Sequence, residues 1–169
     1  MATFLSFPIM ALAAILQATF VPQIRLLGGG PDIPYLIVLA WGINADLDSS
    51  VLWAFVGGIM VDLMSSNALG TSTFGMLFLV FAINGLGQQV YRIGPLTLVA
   101  LVLFGTIFQQ IVLLALTIFA GYRVDWLFSL GYVVAPTIFY NLIFIWPVYW
   151  FIRRIQRRIE RRGGGTRIS

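Results

Sequence analysis

Six apolar runs, at about residues 4–21, 33–45, 51–64, 72–91, 95–120 and 127–152, take up almost the whole chain. The stretches between them are short and rich in Gly, Pro, Asp and Arg. A chain patterned this way has nowhere to hide its apolar surface from water. Its solvent is the hydrocarbon of a bilayer, where each run closes its own backbone hydrogen bonds as a helix. With 60% hydrophobic and 9% charged residues, too few polar side chains remain to coat a domain in water. The expectation is an all-α integral membrane protein of about six transmembrane helices of about 20 residues each. It forms one membrane domain over residues 1–152, followed by a basic cytoplasmic tail over 153–169.

The second and third runs are short for a hydrocarbon core of about 30 Å, so they either draw in their polar ends or form a re-entrant hairpin. Both alternatives use an even number of crossings, which keeps the two termini on the same side. Arginines beside the spans decide which side, because basic flanks are retained in the cytoplasm. The segment RRIQRRIERR and Arg92 are expected inside, and only Arg25 and Arg123 outside. The opening MATFLSFPIMALAAILQATF has no basic lead and reads as a retained first span. Pro136 and Pro147 mark expected kinks in the last run, and Trp126, Trp146, Tyr149 and Trp150 mark expected interfacial anchors.

Cysteine, histidine and lysine are absent from the 169 residues. Thiol and imidazole nucleophiles, Schiff-base chemistry and the common soft metal ligands are therefore unavailable. Asp46 and Asp48 lie close together in NADLDSS, but a hard-cation site needs several further oxygens, so they read as solvated acids. No metal and no cofactor is expected, and the chain reads as a non-enzyme.

Asp62 lies in the otherwise apolar GGIMVDLMSSNALGTSTFG. A carboxylate in the middle of a membrane helix costs about 2.5–3.5 kcal/mol, so it needs a reason. The reading here is structural. The segment SSNALGTST should turn at Gly70 and start a helix at Thr71 or Ser72, whose unpaired N–H groups would attract the carboxylate. On this reading Asp62 sits at the outer rim, within reach of headgroup water. Ala54, Gly57 and Gly58 form a smooth small-residue strip on the same run, suited to packing within the chain or to docking a partner helix. Gln17, Asn84, Gln88, Gln89, Gln109, Gln110 and Asn141 are expected to bond across helices.

Arg153, Arg154, Arg157, Arg158, Arg161 and Arg162 recur at helical spacing beside Ile152, Ile155 and Ile159. This basic face serves either as a topology signal alone or as a contact for anionic membrane lipids. Nothing in the chain reads bases, so nucleic acid is not an expected partner.

The segments LQATFVPQIRLLGGGPDIPYLIV and WAFVGGIMVDLMSSNALGTSTFG carry Leu16, Gln17, Pro22, Pro31, Asp32, Gly58, Asp62, Leu69 and Gly70 in an order and spacing that resembles the rod shape-determining protein MreD family. Met60 stands where that family often has Leu. The resemblance implies a non-enzymatic scaffold in the bacterial inner membrane that helps organise peptidoglycan synthesis and cell shape. It implies direct binding of MreC, with MreB, RodA and a class B penicillin-binding protein in the same elongation machinery. It also implies a likeness to the substrate-binding S-component of energy-coupling-factor transporters, from which the alternative function, a subunit binding a vitamin-type small molecule, follows. Such a subunit would carry a polar or aromatic pocket between its helices that opens outward.

Overall fold

The computed structural model describes residues 2–65, 69–85, 94–119, 121 and 130–163. Among the described residues the helices are, in chain order, α1 Ala2–Thr19, α2 Val21–Ile24, α3 Ile33–Gly42, α4 Leu47–Met64, α5 Thr71–Gly85, α6 Pro95–Phe119 and α7 Ala135–Gly163. A π-helical turn, Leu130–Val134, leads into α7. There is no strand among the described residues, only an isolated bridge between Leu26 and Gly29. The all-α membrane architecture expected from the apolar runs is what the chain adopts. Arg92, Gln88, Gln89, Arg123 and Trp126 lie outside the described residues.

The elements follow the apolar runs, with two differences of physical interest. The third run is not short: α4 begins at Leu47, so the polar turn LDSS is helical and the element reaches 18 residues, about 27 Å at 1.5 Å per residue. Asp48 lies in its first turn, where a carboxylate faces the positive end of the helix dipole. The second run does stay short. Helix α3 has 10 residues, about 15 Å, and every residue from Pro34 to Trp41 is buried. It is the central element, packed against α1, α4, α5 and α7, so its length is set by the bundle around it and not by the thickness of a bilayer.

Among the described residues, three elements, Leu47–Met64, Pro95–Phe119 and Gly131–Ile159, are long and apolar enough to cross a membrane. Around α3 the core is built from Met10, Tyr35, Leu36, Leu39, Trp53, Met76, Ile145 and Ile152. The Trp41 and Trp53 rings stack at 3.9 Å. The outside is equally apolar, with Phe7, Phe55, Phe81, Leu96, Phe104 and Phe139 all exposed. A protein in water does not present such a surface, whereas lipid tails accept it. Helix α7 runs through Pro147 as one element, and the proline expected to kink its start, Pro136, is its second residue, just past the π-helical turn. Because α7 is continuous from Ala135 to Gly163, the membrane domain and the basic tail differ in charge without a break in structure.

Candidate functional site

Two polar clusters form at one end of the bundle, each built around a carboxylate. The first begins with the chain break before α3. The loop from Arg25 to Asp32 is not helical, and a non-helical backbone inside a membrane bundle must find its partners in protein. Gln17 on α1 serves both sides of the peptide: its Nε2 donates to the Pro31 carbonyl at 3.1 Å and its Oε1 accepts the Ile33 N–H at 3.0 Å. The Asp32 N–H donates to Asn141 Oδ1 on α7 at 2.9 Å, and Asn141 Nδ2 donates to Thr106 Oγ1 on α6 at 3.0 Å. Asp32 itself caps α3, accepting the Tyr35 N–H at 3.2 Å, and its other oxygen accepts Gln109 Nε2 at 2.8 Å. One short helix start is thereby tied to α1, α6 and α7.

The second cluster is the turn from α4 into α5. Asp62 Oδ2 accepts the N–H of Gly70 at 2.9 Å, the N–H of Thr73 at 3.3 Å and the Thr73 hydroxyl at 3.0 Å. Its Oδ1 accepts the Ser72 N–H at 2.9 Å. A carboxylate on α4 thus does the work of the N-cap for α5, across the turn. Gly70 has φ +96°, a conformation natural to glycine, and this aims its N–H at the carboxylate. The position differs from the sequence expectation in one respect. Asp62 is 2% exposed, so protein donors and not headgroup water satisfy its charge.

The small-residue strip lies directly behind this cap. A methyl on Gly58 would lie 2.7 Å from the Thr73 backbone nitrogen, and one on Gly57 would meet the Met10 sulfur at 3.0 Å. Ala54 is fully buried. Gly57 therefore packs against α1 and Gly58 against α5.

Between the two clusters lies a cavity of about 480 Å³. Gln17 and Asp32 line it from the first cluster and Ser72 from the second, with Arg25, Gln109 and Gln110 completing the polar wall. Loop residues Gly28 and Gly29 close it against the start of α7: Gly28 N–H donates to the Tyr132 carbonyl at 3.0 Å, and a methyl on Gly29 would collide with Val133 and Thr137. Of the sequence motif residues, Gln17 and Asp32 line this space directly, and Asp62 stands behind its wall, bonded to the lining residue Ser72. The arginines lie at the far end of α7, beside the C-terminus of α3, where Gln156 Nε2 donates to the Trp41 carbonyl at 3.2 Å.

The Asp32 and Asp62 carboxylates each accept from fixed protein donors on both oxygens. No group of three acidic, His or Cys side chains that could hold a metal occurs among the described residues. Asp46, at the opposite end, spends its backbone carbonyl on Ser50. Sequence reasoning missed Gln109 and Asn141 as partners of Asp32, and Thr106 as the partner of Asn141. They are polar residues inside apolar runs, a signal of cross-helix bonding that does not say to what.

The family model described as rod shape-determining protein MreD matches residues 1–159 of the chain. No curated protein matches, and no solved structure matches.

Proposed function

The chain belongs to the rod shape-determining protein MreD family, and from that premise we propose that it is a non-enzymatic membrane scaffold that binds MreC directly. It sits in the bacterial inner membrane with both termini in the cytoplasm. There it helps MreB, RodA and a class B penicillin-binding protein insert peptidoglycan along the cell axis. The observation that supports this reading is the cavity at the end of the bundle opposite the arginines. By the arginine rule that end faces outward, toward the extracytoplasmic part of a single-span partner. Its walls are held rigid by the Gln17, Asp32 and Asp62 bonds, and a preorganised concave surface binds at a lower ordering cost than a mobile one.

The same cavity favours a second reading, since about 480 Å³ falls within the usual range for small-molecule sites. The first expectation is tested by co-expression with MreC and affinity purification in mild detergent, using the native chain and the cavity-filling variants Ala18→Trp and Gln110→Trp. The native chain should retain MreC stoichiometrically, and the filled variants should lose it while keeping the native melting temperature. If the native chain fails to hold MreC and a vitamin-sized compound co-purifies with it, the small-molecule reading replaces the scaffold.

A further inference from the structure

The arginine-bearing end of α7 is a built surface, fixed in rotation by contacts on its other side. Ile152 is fully buried in the core, Gln156 is buried and bonded to the Trp41 carbonyl, and Ile155 and Ile159 pack against the same core. Those four positions hold one face of the helix against the bundle. Arg153, Arg154, Arg157 and Arg158 are all exposed on the remaining surface. They form two i,i+4 pairs, Arg153 with Arg157 and Arg154 with Arg158, so each pair stands on one line along the helix. The guanidinium of Arg153 lies 5.9 Å from the Tyr149 ring centre, and that of Arg154 lies 5.3 Å from the Trp150 ring centre.

Depth places these charges. From Leu130 to Trp150 the helix rises roughly 30 Å, which is about the thickness of the hydrocarbon core. Trp146 and Trp150 are exposed at the end of that rise, as aromatic side chains are at the membrane interface. The arginines follow within two turns, at the level of lipid phosphates. We propose that this end of α7 is a binding surface for anionic phospholipids, in which the two arginine pairs, steadied by Tyr149 and Trp150, bind the phosphodiester headgroups of the adjacent leaflet. Guanidinium geometry suits that ligand, because its fork of N–H donors matches two phosphate oxygens at once. A signal that served only to set topology would need the charges but would not need the aromatic rests or the fixed rotation.

The test uses the full-length chain purified in neutral detergent. Its melting temperature is followed while phosphatidylglycerol, phosphatidylcholine or inorganic phosphate is added. Phosphatidylglycerol should raise the melting temperature saturably and in a salt-sensitive way, with no effect from the other two. Arg154→Gln with Arg158→Gln should raise the lipid concentration at half-saturation by more than tenfold, at about fivefold per arginine. Arg154→Lys with Arg158→Lys, which keeps the charge but loses the fork, should fall between the two. The proposal is overturned if the Gln pair responds to phosphatidylglycerol as the native chain does. An equal response of the native chain to phosphatidylcholine or to inorganic phosphate overturns it as well.

Discussion

Four donors converge on the two oxygens of Asp62, three of them on Oδ2. Replacing Asp62 with Ala strands all four near the start of α5, and a buried unpaired donor costs about 1–3 kcal/mol. Asp62→Ala should therefore destabilise the protein by about 3 kcal/mol or more. Asp62→Asn can keep its oxygen on the Oδ2 side and lose only the Ser72 bond, for a cost of about 1–2 kcal/mol. Thermal unfolding in detergent checks the order, and equal stability of the three proteins would remove the cap role. Gly58→Ala should cost about 1–3 kcal/mol by pushing Thr73 away from α4. Because that shift also breaks the Thr73 bonds to Asp62, the double variant Gly58→Ala, Asp62→Ala should lose less than the sum of the two, and strict additivity in a double-mutant cycle would separate the two effects. This part of the site was legible in the sequence. The donors follow the acid by eight to eleven positions, and turn chemistry at Leu-Gly-Thr-Ser is local.

At the scale of the element, α3 is a helix whose start is held by side chains from three others. Gln17→Ala removes a donor and an acceptor together, leaving the Pro31 carbonyl and the Ile33 N–H unpaired. It should cost about 2 kcal/mol, and Gln17→Glu should not rescue it, because a carboxylate cannot donate to Pro31 and adds a charge. Asn141→Ala should cost a similar amount by freeing the Asp32 N–H and the Thr106 hydroxyl. Denaturation midpoints of these variants measure both. None of these pairings was legible in the sequence. Asp32 lies 77 positions from Gln109 and 109 from Asn141, and uniformly apolar helices carry no stripe to say which faces meet. The extent of α4 was obscured for a different reason: LDSS looks like a loop until its acid is recognised as the first turn of a helix.

For the molecule as a whole, the bundle has a cavity end and an arginine end, joined by a central helix too short to span a bilayer. The chain has no cysteine of its own, so single cysteines report its orientation cleanly. Leu27→Cys, on the exposed turn of the loop, should react with an impermeant maleimide on intact cells, and Asp48→Cys should react only after lysis. The reverse pattern would invert the proposed topology. The central position of α3 also bears on how the protein is made. Its backbone partner Asn141 and the residue that closes its far end, Gln156, both belong to α7, more than a hundred positions later in the chain. Until that helix arrives, α3 cannot settle among its neighbours, and the nascent bundle has to wait with an unfilled centre. A chain that stops before α7 should therefore be cleared by membrane proteolysis instead of accumulating as a partial fold.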